Sequence, residues 1–487
     1  MSPDGYRFPV TFRETLLKTL PEETSLHGNI PDVRNTYIPD THIKALRLDT
    51  MLVAGIRGAG KSFWWSALQN PGHRDVLGPK ASLSKETIVS TGFGEIPLPK
   101  NYPNNDTLAF LQEKYDARIV WRTVVFSHVG EKTAPLDFHS LTKWEDRVEW
   151  VKRHPEETEY CLAEADETLF KSDTHHLVIF DALDRAAEEW KSMNTLVRGL
   201  LQNLIAFRSY KRIRLKLFLR TDQLDDPSVT AFPDSSKVLS EKADLFWPRN
   251  ELYGLLWQYM ANSEKGDLFR DGCKELTLCR WTTTGSVWTV PETLRRDERE
   301  QRKIFHALTG PWMGKDPRRG FPYTWLINHL GDTRQQVSPR SFLAALRHAA
   351  SEPLRPDQPY ALHYESIKRG VQEASKIRVR EMQEDYPWVE PLLKPLGKKI
   401  NVPCGMDEVE SLWNQEKVLE QLKQIVQSSD VRLPPSHLDE GSRGLMKDLA
   451  QLGVIGLISR DRINIPDVYR IGYGIGRRGG ITPVARV

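Results

Sequence analysis

Between Met51 and Leu68 the chain reads MLVAGIRGAGKSFWWSAL, and no other stretch restricts its fold as strongly. Met51 to Ala54 are apolar and read as the end of a buried strand. Gly55 to Ser62 match G-x-x-x-x-G-K-[ST], and Phe63 to Leu68 open a helix. Each residue type has a physical reason to be there. Gly55, Gly58 and Gly60 permit positive φ and a close approach of backbone N–H groups to phosphate oxygens. The helix beginning near Lys61 aims its free N–H groups and dipole at the same anion. Lys61 is expected to reach the β- and γ-phosphates, and the Ser62 hydroxyl to ligate Mg²⁺. The residues expected to hold a nucleoside triphosphate are thus Gly55, Arg57, Gly58, Ala59, Gly60, Lys61, Ser62 and Phe63.

A second stretch, His176 to Arg185 (HLVIFDALDR), has a short apolar strand ending in Asp181, the arrangement of a Walker B element. A carboxylate at that strand end lies beside the phosphate loop and can hold Mg²⁺. Hydrolytic P-loop enzymes often carry a second acid directly after the first; here that position is Ala182. Asp184 either acts as general base from the following turn or caps a helix starting at Ala186. Slow hydrolysis follows from that pattern. Ile213 to Leu219 is another strand, ending in Arg220-Thr221-Asp222, whose polar side chains either sense the γ-phosphate or simply cover a solvated strand end.

Ala117 to Phe126 (ARIVWRTVVF), rich in β-branched and aromatic residues, reads as a strand. Pro71 to Pro103 reads as loops, residues 139–170 as helical, and Ala243 to Trp247 as a fifth strand. The expectation is an α/β, three-layer P-loop NTPase domain with a parallel sheet over residues 48–248. Residues 1–47, with a short helical pattern at Thr11 to Leu20, read as an extension packed on it.

From residue 249 to 350 strand signals vanish and apolar residues recur at helical spacing, which reads as a helical lid domain. Within it, Ser338 caps a helix with Pro339 in its first turn. Arg340 then sits where the helix dipole disfavours a cation. Either a nucleotide phosphate or a surface salt bridge resolves that conflict. Residues 351–408 read as a Pro-rich connector with one charged helix around Ile367 to Gln383. Residues 409–487 combine helices at Trp413 to Val426 and Ser442 to Leu452 with strands at Val454 to Ile458 and Arg462 to Ile465. The two strands flank an Arg460-Asp461 turn. This is the pattern of a winged-helix module, followed by the basic tail Arg477-Arg478-Gly479-Gly480. Winged helices bind either DNA or protein, and the last helix here offers only Arg443 and Lys447 for DNA.

Composition adds limits. A net charge of +3 over 487 residues is too small to argue for nucleic acid. The four cysteines form no CxxC pair, and no apolar run approaches the length of a membrane span. With no signal peptide, the expectation is a cytoplasmic chain without membrane contact.

Together GIRGAGKS, VIFDALDR, LFLRTD, the Trp247 and Leu252 to Trp257 segment, and SPRSFL resemble the prokaryotic STAND and KAP-like P-loop ATPases of the AAA-related ASCE group. The resemblance spans roughly residues 48–350. It implies an ATP- and Mg²⁺-dependent regulatory switch, with a protein partner or effector met through the C-terminal domain and homo-oligomers possible. Many members act in bacterial defence against phage. It also implies that Arg340 is the lid arginine that contacts the γ-phosphate and that Arg220 stands on the sensor strand. With the residues read above, the expected catalytic set is Lys61, Asp181, Asp184 and Arg340, with Ser62 and Asp181 on the metal. Two other uses fit the same motifs: a DNA-handling motor or loader, and a nucleotide-bound scaffold that barely hydrolyses.

Overall fold

The computed structural model describes residues 6–22, 31–81, 83–84, 86–187, 189–355, 358–428, 433–459 and 461–477. It divides into two compact units, His27–Phe246 and a second formed by Met1–Leu26 with Trp247–Val487. Arg460 and the tail residues Arg478, Gly479 and Gly480 lie outside the described residues.

The first unit is built on five parallel strands: β1 (Leu52–Gly55), β2 (Ile88–Phe93), β3 (His176–Phe180), β4 (Ile213–Arg220) and β5 (Ala243–Asp244), in the spatial order β2-β3-β4-β1-β5. Parallel strands need helices on both faces, so nearly every residue of β1, β3 and β4 is buried. Alternation along the strands sorts them between two cores. Ala54, Val178, Phe180, Leu215 and Leu217 pack with helices Ala117–Val129 and Trp190–Phe207. Val53, Leu177, Ile179 and Phe218 pack with Trp64, Trp65 and Leu68 of helix Lys61–Gln69 on the other face. This is the expected three-layer α/β arrangement.

Two local expectations are corrected. Ala117 to Phe126 is not a strand but most of helix Ala117–Val129. The Asp116 side chain accepts the Arg118 N–H at its start. Val120, Trp121, Val124 and Val125 then fall at helical spacing and are fully buried. Trp121 Nε1 also donates to the Leu196 carbonyl at 2.9 Å. Tertiary burial thus overrides the β-propensity of the run. The missing strand is β2, within the stretch read as loops.

A buried cation ties the segment before β1 to the sheet. Lys216 points to the same face as Phe218, and its Nζ donates to the carbonyls of Ala45 and Arg47 at 2.8 Å each and to that of Thr50. Burial pushes its ammonium down to about 7. Three carbonyl acceptors need three N–H donors, which only the protonated form has, and this opposes that push.

The second unit is largely helical. Helices Arg249–Ala261, Gly266–Thr277, Glu298–Thr309, Pro322–Leu330 and Pro339–Ser351 surround Tyr253, Trp257, Phe269 and Tyr323. Strand structure is not absent here: Thr282–Thr284 and Val287–Thr289 form a hairpin. Helix Phe12–Thr19 belongs to this unit and packs on Arg249–Ala261 and Pro339–Ser351, with Phe8 and Phe12 beside Phe269. The stretch read as one extension is thus divided, since residues 31–47 belong to the first unit, where Lys216 holds the carbonyls of Ala45 and Arg47.

The stretch read as a connector contains the 22-residue helix Tyr364–Asp385, packed along Pro339–Ser351. Beyond it, helices Met406–Gln415, Val418–Ser428 and Gly441–Gln451 precede strands Gly456–Ser459 and Arg462–Asn464. These two pair as a hairpin, and Cys404–Gly405 adds a third strand. The single helix expected at Trp413 to Val426 is two, broken where Lys417 takes φ 51°. No helix among the described residues is long and apolar enough to cross a membrane.

Candidate functional site

The carboxyl ends of β1, β4 and β3 lie side by side, because β4 is inserted between the other two. Each end delivers part of the site. β1 ends at Gly55 and enters the loop Ile56–Gly60. There Gly58 and Gly60 take φ 77° and 103°, the left-handed region that glycine reaches without steric cost. A Cβ on Gly55 would meet the Cβ atoms of Ala59 and Leu245 at 3.2 Å each, so the loop is closely backed. Ala59 is buried and donates its N–H to the Ile56 carbonyl at 3.1 Å. Arg57 and Gly58 lie on the partly exposed side of the loop.

Helix Lys61–Gln69 starts directly after Gly60. Its exposed second residue is Ser62, and Phe63 stands edge-on to Trp64 at 5.0 Å between ring centroids. Lys61 Nζ donates to the carbonyls of Gly55 at 2.9 Å and Ile56 at 3.1 Å. Burial pushes its ammonium down to about 8, against the pull of Asp181.

β3 delivers Asp181, which is buried and donates its backbone N–H to the Phe93 carbonyl at 3.1 Å. Burial pushes its carboxyl up to about 6, while the Ser62 hydroxyl donates a hydrogen bond that opposes the rise. A carboxylate and an ammonium that burial disfavours gain most from a bound cation and a bound anion respectively. The Ser62 hydroxyl beside a carboxylate is a hard-oxygen donor pair of the kind Mg²⁺ takes alongside phosphate oxygens and water. Among the described residues no group of three or more His, Cys, Asp or Glu is placed to hold a metal. The Ser62 hydroxyl and the Asp181 carboxylate fit Mg²⁺ shared with a phosphate.

After Asp181 the chain turns sharply through Ala182, a non-glycine residue at φ 57° that costs about 1–2 kcal/mol. Leu183–Arg185 form a single 3-10 turn, and the next helix begins only at Trp190 with Glu189 at its cap. Asp184 therefore does not cap a helix. Its Oδ2 lies 4.0 Å from Arg220 Nη1, at the end of β4. Arg185 instead pairs with Glu95, the loop after β2.

Arg220 is itself held by Asp222, whose carboxylate accepts Nε at 3.0 Å and Nη2. Sequence reasoning marked Asp222 only as part of a polar strand end. The signal available was an acid two residues beyond an arginine, where the chain leaves a strand.

Arg340 lies in the second unit. Ser338 Oγ caps its helix by accepting the Ser341 N–H at 3.1 Å, as the sequence suggested. The Arg340 Nη1 donates to Glu381 Oε1 at 2.8 Å, and Arg378 Nη1 stands 3.4 Å from the other oxygen of the same carboxylate. Glu381 was not foreseen, since it sits 41 residues away on the long helix Tyr364–Asp385.

No family model matches the chain, and no curated protein matches it. Among solved structures, 93% of the chain is similar to 93% of the Aeropyrum pernix ORC1 protein, solved in complex with DNA, at 14% identity and a TM-score of 0.34. A further 96% match covers 95% of the Aeropyrum pernix ORC2 protein, solved in ADPNP–ADP complexes, at 14% identity and a TM-score of 0.40. Likeness of this degree does not assign a function.

Proposed function

We propose that the chain is a Mg²⁺-dependent P-loop ATPase that turns over slowly. The observation that carries this is the meeting of Lys61, Ser62 and Asp181 at one strand edge, beneath a loop whose Gly58 and Gly60 have left-handed backbones. In this reading Lys61 balances phosphate charge, Ser62 and Asp181 hold the metal, and Asp184 accepts a proton from the attacking water. Bound Mg²⁺ supplies charge neutralisation for the terminal phosphates. Ala182 in place of a second acid, and Asp184 standing beside Arg220, support slow turnover.

Handling of DNA is the use of ATP placed first. Helix Gly441–Gln451 presents Arg443 to solvent and the adjoining hairpin presents Arg462, while Lys447 is taken up by Glu440 at 2.6 Å. Contact with a protein partner is the second reading, favoured by Leu457 and Ile458, which expose their side chains on the same hairpin. The STAND/KAP branch and a role in anti-phage defence rest on the sequence resemblance alone.

The test is ATP binding and Mg²⁺-dependent hydrolysis by the full chain. Lys61→Ala should weaken ATP binding roughly 10- to 150-fold, the loss of one charge-assisted contact worth about 1.5–3 kcal/mol. Asp181→Ala should keep part of the binding and lose the Mg²⁺-dependent rate. If both variants hydrolyse ATP like the parent, the ATPase reading fails. DNA binding that weakens steeply with salt supports the first use, and its absence favours the second.

A further inference from the structure

We infer that Asp222 is a positioning residue for hydrolysis, acting through Arg220 on Asp184; the inference rests on the ATPase reading above. The geometry starts where β4 ends. Arg220 is its last residue, and the five-residue helix Thr221–Asp225 turns the chain at once. That turn folds the carboxylate of Asp222 back over the strand end. One oxygen accepts Arg220 Nε at 3.0 Å and the other accepts Nη2. The carboxylate is itself braced, because Oδ1 also accepts the Gln223 N–H at 3.1 Å. Gln223 returns the support by accepting the Arg220 N–H at 3.1 Å.

A guanidinium is a rigid planar fork, so fixing two of its nitrogens fixes the third. The third is Nη1, which stands 4.0 Å from Asp184 Oδ2. Exposure falls in the same direction: the Asp184 side chain is 31% exposed, Asp222 19% and Arg220 9%. The buried arginine is thus the anchor, and the open carboxylate is the group that water can reach. Lys61 feels the charges of Asp181, Arg220, Asp222 and Asp184, which puts all four within electrostatic range of the phosphate loop.

The step served is hydrolysis of the terminal phosphoanhydride. Asp184 takes a proton from water as the water oxygen bonds to the γ-phosphorus. The bond from that phosphorus to the β–γ bridging oxygen breaks, and its electron pair leaves with ADP, so inorganic phosphate forms. Asp222 touches none of these atoms. By holding Nε and Nη2 it fixes where Nη1 stands, and so where Asp184 is anchored; a fork free to turn would let that carboxylate shift from the water. Misplacing a reacting group by about 1 Å can cost on the order of 100-fold.

The experiment measures ATP affinity and single-turnover hydrolysis with Mg²⁺ on the full chain, with a thermal melt for folding. Asp222→Asn should lower kcat by roughly 10- to 100-fold while ATP affinity stays within about threefold. In an Asp184→Asn background the same change should cost less than about twofold, because both residues act on one step. Asp222→Glu, which keeps a carboxylate, should retain more of the rate than Asp222→Asn. If Asp222→Asn does not fold, Arg220→Lys, which keeps the charge but not the fork, should show the same loss of kcat. A parent that hydrolyses ATP beside an equally active Asp222→Asn overturns the inference and leaves the ATPase reading standing. So does a loss that multiplies in full with Asp184→Asn, or a parallel loss of affinity. A parent that neither binds nor hydrolyses ATP overturns both.

Discussion

Replacing Lys216 by Met tests how the nucleotide-binding unit holds its phosphate loop in place. The Lys216 side chain is fully buried, and its three carbonyl partners belong to residues 45–50, the segment leading into β1 and the loop. Methionine keeps the unbranched length and removes the three donors. Hydrogen bonds to a charged group are worth about 1.5–3 kcal/mol each, so the gross loss is about 5–9 kcal/mol. Against this stands the penalty for burying an ammonium, several kcal/mol, which the variant no longer carries. The net is a loss of about 3 kcal/mol. For a unit of about 220 residues, each kcal/mol moves Tm by about 2–4 °C, so the transition should fall by about 6–12 °C. Calorimetry of parent and Lys216→Met at neutral pH measures it. A variant that melts at or above the parent temperature would show that desolvation outweighs the three carbonyls, and that Lys216 is no clamp.

Two further outcomes follow from single contacts. The Arg340 side chain is 35% exposed, whereas its partner Glu381 is 6% exposed and keeps Arg378 as a second cation. Arg340→Ala should therefore cost about 1 kcal/mol of stability or less. The γ-phosphate contact that the sequence resemblance implies for Arg340 predicts in addition a lower ratio of ATP to ADP affinity for Arg340→Ala in equilibrium titrations; an unchanged ratio would assign Arg340 to its ion pair alone. His42 Nδ1 accepts the Trp64 indole N–H at 3.0 Å, and burial pushes its imidazole down to about 3 from the ordinary 6.5. Its folded value lies below the unfolded one, so the contribution is present above pH 6.5 and is lost as pH falls towards 3. By pH 4 the loss is about 3 kcal/mol. His42→Gln should flatten the acid limb of stability in urea melts between pH 7 and pH 4, and an unaltered slope would refute the assignment.

What the sequence determined by itself was the chemistry written over short spans. Glycines at positions 55, 58 and 60 followed by Lys61 and Ser62 dictate a loop that opens a helix, because backbone freedom and helix polarity are properties of adjacent residues. An apolar run ending in Asp181 likewise reads as a buried strand with a carboxylate at its edge. The three-layer class followed from strands alternating with helices.

Only the tertiary structure decided which distant groups meet. The strand order put β4 between β1 and β3, and so brought Arg220 beside Asp184 across 36 residues of chain. It ruled out the cap reading of Asp184, because the next helix starts at Trp190. It gave Arg340 a partner in Glu381, 41 residues away. The misread run at Ala117 shows the physical reason. Its β-branched and aromatic residues suit a pleated surface, yet the same residues recur at helical spacing, and local preference leaves the two conformations close in energy. The choice went to the conformation that buries Val120, Trp121, Val124 and Val125 together and gives the indole N–H of Trp121 a carbonyl at Leu196. Burial depends on neighbours that the chain brings in from far along its length, and that term is larger than the propensity it overrode.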